Sequence, residues 1–356
     1  MTNDKGILIR NIYYMLSYAF LELKRNNYED IAKEEFEHIL DLFAEILYRG
    51  VSDQLKHGLY REYIDKHETL STLRGRLDIN GTIRNILQHK RNLDCEYDEL
   101  SENNHFNRII KSTMLLLIHN KDVKSKRKKE LRTILPFFSN VSEVNLREIR
   151  WSTLRFQRSN QSYLMLINMC HFIVDGMLLT TDNGNVRMAT FSDEHMNKLF
   201  ERFVLNYYKR EYPSLNANAD NIKWNVDDED SIGLDLLPSM QSDITLHYGS
   251  QILIIDTKYY GKMMQTKYEK HTIHSANMYQ IFTYVKNRDQ KHSGKVSGIL
   301  LYARTEEKIA PELDTYIDGN RIMVNTINLN QEFKLIASEL DEIIDKNFNF
   351  ISNFRP

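Results

Sequence analysis

Four consecutive aliphatic residues, Ile252-Leu253-Ile254-Ile255, constrain the fold of this chain more than any other stretch. A strand on a sheet with one wet face alternates apolar and polar residues, and this one does not alternate. It reads as a strand buried on both faces, which needs packed layers above and below it. The run ends in charge, at Asp256-Thr257-Lys258. Side chains alternate faces along a strand, so Asp256 and Lys258 share one face and Thr257 points to the other. Upstream, Ser242–Leu246 and the short turn His247-Tyr248-Gly249-Ser250 predict a hairpin that brings Asp243 near Asp256. Downstream, Met278, Ile281, Phe282 and Val285 predict the apolar face of a helix, with Gln280 and Tyr284, four apart, on another face.

A D-x-K triplet at the end of an apolar strand is, taken alone, more often a simple strand exit. The acid in the preceding hairpin strand and the following Q-x-x-x-Y raise the odds of a site together. The layout resembles the core of the PD-(D/E)xK nucleases, and the Gln280 helix resembles that of their RecB-like branch. Proline stands at 238, five residues before Asp243, so no literal Pro-Asp pair exists. That departure touches the motif's name more than its chemistry, which does not require proline.

The resemblance implies hydrolysis of a phosphodiester with help from a metal ion, which neutralises charge and lowers the pKa of a bound water. Mg2+ prefers oxygen ligands and keeps several waters, so one or two carboxylates suffice, with Mn2+ able to substitute. The implied ligands are Asp243 and Asp256. Lys258 would stabilise developing negative charge near the scissile phosphate, and Gln280 and Tyr284 would orient water, the lysine or a phosphate. In such folds a helix ahead of the core strands often carries a further metal-site acid. Glu201 is the candidate, on a helix whose apolar positions are Met196, Leu199, Phe200, Phe203, Val204 and Tyr207. Ser192 reads as its N-cap. A surface helix glutamate is otherwise usually just solvated.

With 356 residues the chain is expected to form about two domains at roughly 150 residues each. The turn-rich stretch Thr180–Arg187 divides residues 1–185, mainly helical with a small β element, from residues 186–356, an α/β half. The expected fold class is thus α/β, with a restriction-endonuclease-like C-terminal core. In the first half, Ile7–Leu23, Glu34–Leu55, Asn103–Ile118 and Asn160–Leu179 read as helices. Leu59–Ile79 reads as the β element, with an exposed turn at Arg74-Gly75-Arg76. Two cysteines, Cys95 and Cys170, far apart in sequence, argue against a disulfide framework or a cysteine-based zinc site and fit a reducing cytoplasm. The net charge of −2 leaves no global basic field, so nucleic acid must be met by a local face. The basic run Lys121–Arg132 reads as a solvated face or, alternatively, a phosphate-backbone patch. Tyr163–Leu179 is too polar for a membrane span, and the N-terminus shows no signal-peptide pattern. His271 and His274, three apart without further clustered ligands, read as surface or DNA-proximal residues.

Outside the core, IRNIYYMLSYA (Ile9–Ala19), LRGRLDI (Leu73–Ile79), NHFNRIIKSTM (Asn104–Met114) and MNKLFERFV (Met196–Val204) resemble, in order, the McrC family. These are the nuclease subunits of the 5-methylcytosine-dependent restriction system. The resemblance implies a cytoplasmic, metal-dependent endonuclease subunit acting on double-stranded DNA, driven by a McrB-like AAA+ GTPase hexamer that recognises the modified base. It also implies that the N-terminal half docks into that ring and stimulates its GTPase. The chain has no G-x-x-x-x-G-K-[ST] phosphate loop, so any nucleotide hydrolysis belongs to another chain. Two other functions remain open. One is a related nuclease of another defence or repair pathway; the other is a non-catalytic adaptor that activates an AAA+ ring. The intact set Asp243, Asp256, Lys258 and Gln280 speaks against the adaptor.

Overall fold

The computed structural model describes residues 3–4, 7–19, 31, 34, 36, 38–158, 160–180, 186–188, 193–227, 232–259, 264–267, 270–304 and 310–348. Two compact units emerge. One joins Met1–Leu42 to Gly176–Pro356, and the other is Phe43–Asp175. This differs from the expected division at 185/186, because the first 42 residues belong with the C-terminal part. The physical reason is a set of contacts made by the Ile9–Ala19 helix. Its Asn11 amide donates to the carbonyls of Leu329 and Gln331, at 2.8 and 2.6 Å. Tyr14 stacks on Phe333 with ring centroids 4.4 Å apart. The Tyr18 hydroxyl donates to Glu211, at 2.8 Å.

The C-terminal part of that unit is built on a five-stranded sheet. Its spatial order is Ile244–Tyr248, Gln251–Tyr259, Val296–Arg304, Asn320–Asn328, Leu313–Ile317. The inner three strands run parallel and the two edge strands are antiparallel to their neighbours. The apolar run behaves as its composition demands: Leu253, Ile254 and Ile255 are all buried. Alternate residues divide between the faces. Ile254, Leu300, Tyr302, Ile322 and Val324 form one core with Ile281, Tyr284 and Val285 of the Ser275–Arg288 helix. The helices Asp193–Glu211 and Phe333–Phe348 also pack on the sheet. Their mutual contact is aromatic and polar, since the Tyr207 and Tyr212 hydroxyls both donate to Asp341.

Gly298 lets the Ser275–Arg288 helix lie close. A Cβ there would come within 2.7 Å of Val285 Cγ2 and 2.8 Å of Ile281 Cγ1, closer than carbon atoms tolerate. The stretch between Tyr259 and this helix also contains a small hairpin, Met264–Lys267 with Lys270–Ile273, which was not expected.

The Phe43–Asp175 unit is mainly helical around a three-stranded antiparallel sheet. Leu93–Ser101 lies between Glu62–Leu70 and Arg76–Asp78. The expected β element is therefore present, but its central strand lies beyond the expected stretch. Gly75 makes the Arg74-Gly75-Arg76 turn at a φ of +68°, where a Cβ would meet the Glu96 carbonyl at 2.4 Å. The basic run becomes the Ser125–Ile134 helix, and it is not simply a solvated face. Arg127 is buried and ion-paired to Glu45 and Glu130, while Lys126 and Lys129 remain exposed. Asn107 ties the unit together, donating to the carbonyls of Tyr60 and Glu102 and accepting from the Tyr163 hydroxyl. An unforeseen amphipathic helix, Ile79–Leu87, turns Ile79, Ile83, Ile86 and Leu87 to solvent. Among the described residues no helix is long and apolar enough to cross a membrane. The Ser192 N-cap and most of the Thr180–Arg187 turn lie outside the described residues.

Candidate active site

The site forms where the Gln251–Tyr259 strand outruns its hairpin partner. Pairing with Ile244–Tyr248 ends at Ile244 opposite Ile255, so Asp256, Thr257 and Lys258 lie past the last rung. Asp256 and Lys258 leave the same face, as alternation requires, and Lys258 Nζ stands 2.7 Å from Asp256 Oδ2. The two make a close ion pair. Asp256 is fully buried, and neither carboxylate oxygen has a hydrogen-bond partner among the described residues. Burial, with a further push from the Asp243 charge, raises its pKa to about 6 against the pull of Lys258.

Lys258 Nζ also donates to Gln280 Oε1, at 3.2 Å, and Gln280 Nε2 donates to the Tyr284 hydroxyl, at 2.9 Å. The expected Q-x-x-x-Y stripe thus faces the lysine. Tyr284 departs from expectation in one respect: its ring belongs to the helix's buried face, in one core with Ile281 and Val285. Tyrosine can do this because its ring is apolar and its hydroxyl can stay at a polar rim. Phe282, expected on the apolar face, is only half-buried.

Asp243 sits one residue ahead of its strand, and its Oδ2 accepts from both the N–H and the hydroxyl of Thr257, each at 2.7 Å. Glu201 is half-buried on the Asp193–Glu211 helix, and its carboxyl is pushed up to about 7. Burial is the main cause, followed by the charge of Asp243; Asp256 and Lys258 act on it too, so Glu201 lies within electrostatic reach of the site. Among the described residues, however, no three His, Cys, Asp or Glu side chains are gathered closely enough to hold a metal alone. His274 precedes the Gln280 helix and belongs to no such cluster, and the side chain of His271 lies outside the described residues.

Two residues were missed in the sequence. Thr257 is a buried hydroxyl between Asp256 and Lys258, just past the aliphatic run, which was the available signal. Asn197, one helical turn before Glu201, accepts the N–H of Tyr259 at 2.8 Å and so holds the strand just past Lys258.

The residues suit a hard divalent cation. Lys258 complements Oδ2 of the buried Asp256 carboxylate, while Oδ1 has no hydrogen-bond partner among the described residues, a cost that a further cation would offset. A second carboxylate stands near enough to act on its charge, and all donors are oxygens, as Mg2+ prefers.

Fold and site together define an α/β protein with two acids and a lysine gathered where one sheet strand outruns its neighbour. The chain belongs to the McrBC 5-methylcytosine restriction system component family, whose characteristic pattern matches residues 3–303. It is 30% identical over 346 residues to the "Type IV methyl-directed restriction enzyme EcoKMcrBC" of Escherichia coli K12. That match covers 96% of this chain and 98% of the relative. Its fold is similar to a chain of a Thermococcus gammatolerans assembly described as McrB AAA+ hexamers with bound McrC. There the TM-score is 0.55 at 17% identity, over 95% of this chain and 75% of that one.

Proposed function

We propose that this chain is the Mg2+-dependent DNA endonuclease subunit of a McrBC-like modification-dependent restriction complex. It cleaves phosphodiester bonds when driven by a McrB-like AAA+ GTPase, on a core of the PD-(D/E)xK type. The observation that carries this reading is the connected array Asp256, Lys258, Gln280 and Tyr284 with Asp243 beside it. Asp243 and Asp256 would hold the ion, with Glu201 joining them. The bound ion would supply charge neutralisation and a more acidic water. Lys258, ion-paired to Asp256 and hydrogen-bonded to Gln280, is set to stabilise charge developing on a phosphate. Gln280, braced by Tyr284, fixes the lysine's reach.

The Phe43–Asp175 unit is the part we assign to the partner ring; the T. gammatolerans chain of similar fold comes from an assembly of McrB AAA+ hexamers with bound McrC. Its exposed Ile79, Ile83 and Ile86 lie at helical spacing, and such a stripe left in water supports a protein interface.

The test is cleavage of methylated double-stranded DNA by the chain with its partner GTPase. Cleavage is expected with Mg2+ or Mn2+ and lost in EDTA. Asp256→Ala or Lys258→Ala is expected to abolish it in a folded, partner-bound protein. Full activity in either variant overturns the assignment.

A further inference from the structure

Thr257, the residue between the aspartate and the lysine, occupies a position where valine would be expected. It is fully buried, two residues past the aliphatic run Ile252–Ile255, and valine has nearly its shape without a hydroxyl to desolvate. Its hydroxyl is therefore a cost unless it does something, and what it does is donate to Asp243.

The backbone shows why Asp243 is the acceptor. In the Gln251–Tyr259 strand the N–H of Ile252 donates to Lys295, towards the parallel neighbour. Odd-numbered N–H groups therefore point at the hairpin edge. Past Ile255 that edge has no ladder partner, because Ser242 is drawn away. Its N–H donates to the Asp220 carbonyl at 3.0 Å, and its hydroxyl accepts from the Asp220 N–H at 3.1 Å. The Asp243 carboxylate takes the vacated place, so one oxygen is held at two points by a single residue whose β-branched side chain has little χ1 freedom.

We propose that Thr257 is the positioning residue of Asp243: its N–H and hydroxyl fix Oδ2, so that Oδ1 is presented to a divalent cation shared with Asp256. The proposal rests on the metal-site reading given above. It assigns the middle residue of the D-x-K triplet a task of its own.

The experiment measures Mn2+ binding to the full-length chain by isothermal titration calorimetry without DNA, alongside thermal melts in EDTA. Thr257→Val keeps the shape and the backbone donor but loses the hydroxyl. Its Mn2+ affinity is expected to fall by roughly 10–100-fold, as for other residues that orient metal ligands, with no loss of melting temperature. Thr257→Ser keeps the hydroxyl but loses a buried methyl, so it is expected to melt earlier yet bind Mn2+ close to the parent. The two variants thus reverse order between stability and metal affinity, which a packing role alone cannot produce. Asp243→Asn is the control and is expected to lose binding. Parental affinity in Thr257→Val, with binding lost in Asp243→Asn, overturns the positioning role and leaves the metal site standing. Parental affinity in Asp243→Asn overturns the metal reading itself. Affinity that tracks melting temperature across the variants also overturns the proposal. Should Thr257→Val not fold, Thr257→Ser against Thr257→Ala makes the same comparison of hydroxyl kept with hydroxyl lost.

Discussion

Replacing Gly298 by alanine should damage the site through the packing beneath it. The added methyl would come within 2.7 Å of Val285 Cγ2 and 2.8 Å of Ile281 Cγ1. Both neighbours are fully buried and β-branched, so neither can swing aside, and the helix that carries them must move. Overpacking of this kind costs about 1–3 kcal/mol. Alanine also restricts the unfolded chain, which offsets about 0.5–1 kcal/mol. The steric cost is the larger of the two, leaving a net loss of up to about 2.5 kcal/mol. At about 2–4 °C per kcal/mol for a unit of this size, the melting temperature should drop by up to about 10 °C. The functional loss should be larger. Gln280 precedes Ile281, and its 3.2 Å bond from Lys258 already sits at the long end of the normal range. A helix shift of a few tenths of an ångström breaks it, and cleavage should slow by roughly 10–100-fold. Calorimetric melts in EDTA and single-turnover cleavage, with partner and DNA saturating, measure the two effects. A Gly298→Ala protein with parental melting temperature and parental rate would refute the reasoning.

Other perturbations read different parts of the site. The Asp256 carboxyl is pushed up from 3.8 to about 6 in the folded protein, so the native state keeps its proton where the unfolded chain has already released it. The Asp256 contribution to metal-free stability is therefore fully present below about pH 4 and is lost as pH rises through about 6. Asp256→Asn, which stays neutral, should remove that slope and stabilise the chain at pH 7 by about 3 kcal/mol. Denaturant titrations in EDTA across this range check it, and a stability that instead rises with pH through the window, and is unchanged by the variant, contradicts it. Gln280→Ala should slow single-turnover cleavage by roughly 10–100-fold while Mn2+ still binds. Tyr284→Phe should cost less, because it removes only the acceptor for Gln280 and leaves the ring in the core. A parental rate in Gln280→Ala removes that helix from the site.

The sequence carried the site strand plainly, because an unbroken aliphatic run ending in charge admits few environments. Gln280 was legible too, since helical spacing alone puts it beside the lysine once the apolar side of the helix is buried. Tyr284 was read as purely rim-facing because a two-face division gives each residue one role, whereas a tyrosine spans both. The Leu93–Ser101 strand announces itself by the alternation of Leu93, Cys95 and Tyr97 with Asp94, Glu96 and Asp98, but its many acids mask that period. The membership of the Ile9–Ala19 helix was not legible at all. Nothing local in Asn11 indicates that its side chain will seek carbonyls 318 and 320 positions away.

That last separation has a consequence for how the molecule is made. The unit holding the candidate site is split by the 43–175 insertion, and the helix near its beginning is completed by residues close to its end. During synthesis at about 5–20 residues per second, Asn11 must wait roughly 15–60 seconds for its acceptors to leave the ribosome. The inserted unit has all its own strands and helices by Asp175 and can close well before that. An arrested chain ending short of Leu329 would therefore carry a formed insertion and an open site-bearing unit. The unit that carries the candidate site is in this way kept open until the stretch around Leu329 and Gln331 has been made.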